Sequence, residues 1–200
     1  MTSGTLPVSL VAERIYRITQ TLKFGKKGFP VNIYVLAGKD GLIFDSGTGR
    51  KSMAEKLAQT IRAISGQHGH PVSRILASHG HWDHFSGLPY LAETLDLEVL
   101  AAREQIPAIS SKKRYLAYFR AGNHFSARSE SYVIRQWYRF RERLVKQAFM
   151  TIFGLDFYHG PMVLLDKNSD LIINGQVSQI LFLPGHSDDD IALYNEQRGI

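Results

Sequence analysis

The 200-residue sequence predicts a layered domain that mixes sheet and helix, of the α/β or α+β class. Three observations lead there. Short β-rich runs bounded by turn residues open the chain. Segments with apolar residues at helical spacing alternate with further strands through its first half. A second hairpin, built around Asn174-Gly175, follows near the end.

In order, "RIYRITQ" reads as a first strand, and "VNIYVLAGKDGLIFDSG" as a hairpin. Its arms, Asn32–Leu36 and Leu42–Asp45, are joined across Gly38-Lys39-Asp40-Gly41, a turn composition. From Ser52 to Ser65 the residues Met53, Leu57, Ile61 and Ile64 recur at helical spacing, with Gly66 as the stop. "VSRILASH" is a strand, Ser86 to Leu95 a helix and "LEVLAA" a strand. Ser131 to Phe153 places Ile134, Trp137, Leu144, Val145, Ala148, Ile152 and Phe153 on roughly one helical face. "DLIINGQVSQILFLPGH" is the second hairpin, and "IALYNEQRGI" reads as a strand, a turn and the start of another strand.

Composition narrows the function classes. An apolar fraction of 44% and a charged fraction of 21% belong to a soluble globular protein of one domain, residues 1–200. No run approaches the ~18 apolar residues of a membrane span, so no membrane partner is expected. The N-terminus lacks the basic head and apolar stretch of a secretory signal, and a cytoplasmic location is expected. Without cysteine, any metal must use His, Asp or Glu. The net charge of +6 is concentrated: Arg103 to Lys146 holds eleven Lys/Arg against three acids, while the remaining residues net −2. Residues 103–160 are therefore expected to form a basic helical insertion.

The densest chemistry lies in "SHGHWDHFSG". His79, His81, Asp83 and His84 stand at i, i+2, i+4 and i+5 directly after an apolar run. On an extended strand end, i and i+2 point to the same side, so His79 and His81 can grip one ion. Once the chain turns, Asp83 and His84 can serve a second position. Nitrogen-rich ligation of this kind suits Zn²⁺, with Fe or Mn as alternatives. Four coordinating groups at an apolar strand terminus have no packing purpose.

The His-x-His-x-Asp-His pattern after a strand resembles the signature of the metallo-β-lactamase superfamily. "GLIFDSG" is similar to that family's early strand ending in Asp-x-Gly, and "FLPGHSDDDI" to its later Pro-Gly-His-Ser/Thr motif. The three motifs occur in the expected order between Ile15 and Leu193. The resemblance implies a four-layer αβ/βα sandwich, here with a helical insertion and an incomplete second half. It implies a first metal site of His79, His81 and His186, completed by water. Asp83 and His84 would belong to a second site, with Asp83 also acting catalytically by orienting the attacking water. Asp45 would orient ligands through hydrogen bonds from outside the coordination sphere. Two Zn²⁺ ions are expected of the family. They would activate water for attack on an ester, thioester, lactone or similar bond of a small molecule. His81 stands where oxygen-reducing di-iron relatives carry Glu, which favours hydrolysis.

The family's bridging aspartate and last histidine have no counterpart, since no histidine follows His186. One complete site is therefore expected, either in a piece of a longer hydrolase or in a degenerate member. Asp188, Asp189 and Asp190 stand too close to His186 to bridge, and read as acids of a turn. His68, His70, His124 and His159 are expected at the surface, and Gly47 and Gly49 in a turn. The basic segment has three readings. Its helix over 131–153 packs on the core or on a second copy in a homodimer. Arg135, Arg139, Arg141 and Arg143 attract an anionic substrate to the metal centre. "KKRYLAYFR" stacks single-stranded nucleic acid, making the protein a nuclease or phosphodiesterase. A non-catalytic metal-binding chain is the alternative outside the enzymes.

Overall fold

The computed structural model describes residues 4–24, 27–118, 147, 148, 150–167 and 169–200. Its first sheet has seven strands in sequence order: β1 (Val8–Ala12), β2 (Ile15–Phe24), β3 (Lys27–Leu36), β4 (Leu42–Phe44), β5 (Arg74–Leu76), β6 (Glu98–Ala102) and β7 (Val163–Leu165). Pairing is antiparallel from β1 to β4 and parallel from β4 to β7. The parallel steps require crossovers, and α1 (Lys51–Gln67) and α3 (Leu88–Leu95) supply the first two. A second, antiparallel sheet holds β8 (Asp170–Ile173), β9 (Gln176–Phe182) and β10 (Ile191–Tyr194) in the order β10-β9-β8.

Alternation along the strands assigns side chains to two cores. On one face of the large sheet, Ile18, Ile33, Val35, Ile43 and Ile75 pack with Leu57, Ile61 and Leu91 of the helices. On the other, Leu42, Leu76 and Leu100 meet Leu171, Ile173, Ile180 and Ile191 of the small sheet. Neighbouring residues thus serve different layers: Leu42 one core and Ile43 the other, Ile75 one and Leu76 the other. The described layers run helices, large sheet, small sheet. The outer face of the small sheet is open, with Ile172 56% and Val177 46% exposed. This is the αβ/βα plan with its second half incomplete.

Both expected hairpins form. Leu36 pairs with Leu42 across the Gly38–Gly41 turn, and Ile173 with Gln176 across Asn174-Gly175. Asn174 and Gly175 both have positive φ (54° and 74°), as a two-residue turn matching strand twist demands. The Asn174 side chain also donates to Ala37 O at 2.7 Å, tying the small sheet to the large one.

Several elements differ from expectation. β1 pairs with β2 at the sheet edge although its apolar Val8, Leu10 and Val11 remain exposed. The strand before the histidine cluster stops at Leu76 rather than His79. The helix expected over Ser86–Leu95 forms as α3 from Leu88, and an unexpected short helix, α2 (Trp82–Phe85), precedes it, the two separated at Ser86-Gly87. There Gly87 N–H donates to Gly47 O at 3.0 Å, and a Cβ on Gly87 would strike the Ser46 carbonyl. The chain needs glycine at that approach. The last residues close a turn, Ile200 N–H donating to Asn195 O at 3.3 Å, with no further strand.

The basic segment begins inside the core. Within it, α4 (Ile106–Ser110) and α5 (Lys112–Tyr118) bury Ala108, Ile109 and Tyr115. The Tyr115 ring packs against Phe85 and Phe157 (centroids 5.6 and 5.8 Å), so it is not an exposed stacking platform. Residues 119–146, with His124, Arg135, Arg139, Arg141 and Arg143, lie outside the described residues. So do most of the expected 131–153 helix and the dimer contact and anion-attracting surface drawn from it. No described helix is long and apolar enough to cross a membrane.

Candidate metal centre

The parallel strands β4 and β5 deliver their C-terminal ends to one edge of the large sheet, where open α/β sheets place ligands. Asp45 follows β4 immediately. Its N–H donates to Leu76 O at 2.8 Å, and its backbone takes a φ of 73°, rare for a residue with a side chain. The peptide turned there brings Ser46 against α2: Ser46 N–H and Oγ both donate to His84 O, at 2.8 and 2.9 Å. Two loops from neighbouring strands are thus locked together.

His79, His81 and His186 converge, each offering one ring nitrogen within 4.8 Å of the others. His79 follows the end of β5, His81 stands at the N-cap position of α2 without a capping hydrogen bond from its side chain, and His186 follows β9. The His81 Nδ1 and His186 Nε2 atoms are 3.0 Å apart, and the His79 ring lies 4.5 and 5.2 Å from the two other ring centres. His79 is buried and His186 exposed, so the cluster opens to solvent on one side. The donor set fits a metal ion on an observation independent of the spacing. His79 Nε2 is buried without a hydrogen-bond partner, and such orphaned atoms are rare in folded proteins. An ion held by the three imidazoles would take up that lone pair.

Asp83 and His84 stand beside this cluster as a pair, with Asp83 Oδ2 3.7 Å from His84 Nε2 and the His84 ring 4.1 Å from that of His79. Among the described residues, no further His or acid gathers with them into a second three-donor group. Asp45 meets the cluster through its carboxylate. Oδ1 accepts the Ser78 N–H at 2.6 Å, while Oδ2 lies 2.8 Å from His84 Nδ1 and 3.1 Å from Ser78 Oγ.

Electrostatics separates the imidazoles. Burial, reinforced by the neighbouring rings of His84 and His81, pushes His79 down to about 3. Burial and His186 likewise lower His81. Burial also opposes a charge on His84, but the hydrogen bond from its ring to Asp45 and the carboxylates of Asp45, Asp83 and Asp190 outweigh it and raise its pKa. His79 is thus held neutral, the form a metal ligand requires.

Sequence reading missed three participants. Ser78 touches Asp45, His79 and His84 through one hydroxyl. Asp190 does hold its turn, accepting Ser187 N–H at 2.8 Å, but its other oxygen reaches within 3.6 Å of His79 Nδ1. Buried Gln105 donates to Ala77 O at 2.9 Å, bracing the loop that carries the ligands. The only signal for Asp190 was its place four residues after His186; for Ser78 and Gln105 there was none. Elsewhere, His70 and His159 are exposed as expected, whereas His68 is half-buried with its Nε2 2.8 Å from Tyr16 Oη.

Comparisons with known proteins agree with this architecture. The sequence profile of the metallo-beta-lactamase superfamily matches residues 27–200. No curated protein matches the sequence. Among solved structures, a beta-lactamase domain protein from Burkholderia ambifaria superposes with a TM-score of 0.65 at 18% identity, over 96% of this chain and 52% of its own. A metallo-beta-lactamase family protein from Thermus thermophilus gives 0.59 at 20% identity, over 94% and 57%. The FEZ-1 metallo-beta-lactamase from Legionella gormanii gives 0.63 at 13% identity, over 96% and 58%. The chain spans little more than half the length of these three structures. With the superfamily profile covering most of its residues and the fold shared, the chain belongs to the metallo-beta-lactamase superfamily.

Proposed function

We propose that this chain carries the metal-binding part of a hydrolase that cleaves an ester, thioester, lactone or similar bond in a small molecule. The observation that supports it most is the buried, unpartnered Nε2 of His79 at the point where His81 and His186 converge. Three imidazole nitrogens and no thiolate favour Zn²⁺. When bound, a divalent ion there supplies Lewis acidity and acidifies water.

The chain's own residues do the rest. His79 and His81, two residues apart on one loop, would hold an ion together with His186, which comes from after β9 in the second sheet. Asp83, at the first turn of α2 and part-exposed, would accept a hydrogen bond from an attacking water and take its proton. Asp45 holds the His84 ring in orientation. The Asp83–His84 pair lacks further protein donors among the described residues, so one tightly held ion per chain is the expected stoichiometry.

The test is zinc content after dialysis, together with turnover of a nitrophenyl ester and of a thioester. One zinc per chain and metal-dependent turnover are expected. Zinc without turnover would leave a metal-binding chain that is not an enzyme; absence of zinc at neutral pH would overturn the reading.

A further inference from the structure

We infer that Ser78 is a positioning residue that carries the acceptor character of one carboxylate, Asp45, to two imidazoles at once. It thereby fixes His79 in the tautomer whose Nε2 presents a bare lone pair. The inference rests on the proposed metal site for its consequence but not for its proton count.

The count begins at Asp45. A carboxylate only accepts, so at the 2.8 Å contact His84 Nδ1 must carry the hydrogen. The Ser78 hydroxyl has one proton and two claimants, Asp45 Oδ2 at 3.1 Å and His79 Nδ1 at 2.9 Å. If it went to His79, two oxygens would face each other at 3.1 Å with no hydrogen between them. The charge-assisted bond to the carboxylate is the stronger one, and the proton belongs there. Ser78 Oγ then offers His79 only lone pairs, so His79 Nδ1 must donate.

A second observation, at the far side of the ring, gives the same answer. His79 Nε2 is buried and has no partner. As an N–H it would be a buried donor without an acceptor; as a bare nitrogen it is a ligand atom awaiting a cation. One carboxylate thus sets two tautomers, one directly and one through a hydroxyl.

Ser78 is itself held from both sides. Its N–H donates to Asp45 Oδ1, and its carbonyl accepts Ile191 N–H at 2.9 Å from the start of β10. The hydroxyl position is therefore dictated by the loop after β4 and by the second sheet together. Asp190 Oδ1 faces the same ring nitrogen, but at 3.6 Å it lies outside hydrogen-bond reach and adds attraction only.

The test is long-range proton–nitrogen correlation of the imidazoles in the ¹⁵N-labelled, metal-free chain at roughly pH 9, where histidine rings are neutral. Both His79 and His84 are expected as Nδ1–H tautomers. Ser78→Ala should redistribute His79 toward Nε2–H and leave His84 unchanged, with zinc affinity falling roughly 10–100-fold. Ser78→Thr should restore both readouts. An Nε2–H His79 in the unmodified chain overturns the inference, and that measurement decides even if Ser78→Ala does not fold. So does a folded Ser78→Ala variant that keeps Nδ1–H, or an Asp190→Asn variant that moves His79 when Ser78→Ala does not. Correct tautomers without any zinc binding would sink the proposed function and leave this inference standing; zinc binding with an Nε2–H His79 would do the reverse.

Discussion

The two halves of the candidate metal centre share one loop, to which His186 is added from after β9, yet they are chemically unlike. His79, His81 and His186 form a nitrogen-only cluster in which burial and the neighbouring rings hold His79 and His81 toward their neutral forms. Asp83 and His84, only a few residues along, form a carboxylate-rich pair in which His84 is drawn toward its charged form. His79 and His84 have ring centres 4.1 Å apart and opposite shifts. The difference lies in the partners of each ring. His84 meets carboxylate oxygen directly at 2.8 Å, whereas His79 meets a hydroxyl at 2.9 Å and a carboxylate only at 3.6 Å. Residue type and position in the loop do not determine the role of a histidine; its hydrogen-bond partner does.

The sharpest way to break this comparison is to remove ligands from each half. His79→Ala or His186→Ala should abolish tight zinc binding, a larger loss than the roughly 10–100-fold that follows removal of an outer partner. His84→Ala should leave one zinc per chain. Calorimetric titration of the three variants checks it, and equal losses in all three would erase the distinction between the halves.

Asp45→Ala comes next, because it acts on both halves. Three donors at the buried carboxylate, His84 Nδ1–H, Ser78 N–H and the Ser78 hydroxyl, lose their acceptor. An unsatisfied buried donor costs about 1–3 kcal/mol, so the metal-free chain should lose several degrees in Tm along with zinc affinity. Thermal scans with and without zinc separate the two effects.

How much of this was legible beforehand follows from the range of each interaction. Four coordinating side chains in six residues announced a site because composition alone marks it, and Asn174-Gly175 announced a hairpin because few residues accept two positive φ values. The Leu42/Ile43 and Ile75/Leu76 pairs show why fold class was readable: strand alternation sends neighbours to opposite layers. β1 was missed because its apolar residues do not alternate with burial, and α4 because five residues, two of them buried, are too few to show a period. Ser78 and Asp190 were invisible as participants for another reason. Their roles depend on β10 docking against the end of β5, a contact spanning more than a hundred residues. Serine before a histidine has no local signature.

The pH response sharpens the contrast in sign. Between about 3 and the ordinary histidine value of 6.5, His79 binds fewer protons folded than unfolded. Unfolding therefore takes up protons, and stability falls as pH drops through that window; His81 contributes with the same sign. His84, raised above 6.5, acts oppositely: its contribution is present below 6.5 and fades as pH rises through its folded value. The shift of His79 is the large one, so the metal-free chain should lose Tm on acidification from pH 7 to about pH 5. His79→Gln should flatten that slope, and His84→Gln should steepen it. A slope unchanged by both substitutions would show that other groups govern it.

The smallest effect tests how the halves are fastened together. Ser46 Oγ donates to His84 O at 2.9 Å, alongside the Ser46 N–H bond to the same carbonyl. Ser46→Ala removes the first bond and keeps the second, so the carbonyl remains satisfied and the cost should be about 0.5–1.5 kcal/mol. Because that carbonyl belongs to the residue whose ring Asp45 also holds, loosening it should reach the Asp83–His84 half first. Zinc affinity at the three-histidine cluster should change less than threefold, while the His84 ring resonance broadens or shifts in the metal-free chain. A loss of zinc affinity as large as that of Asp45→Ala would mean instead that the two halves move as one rigid body, with Ser46 as their common anchor.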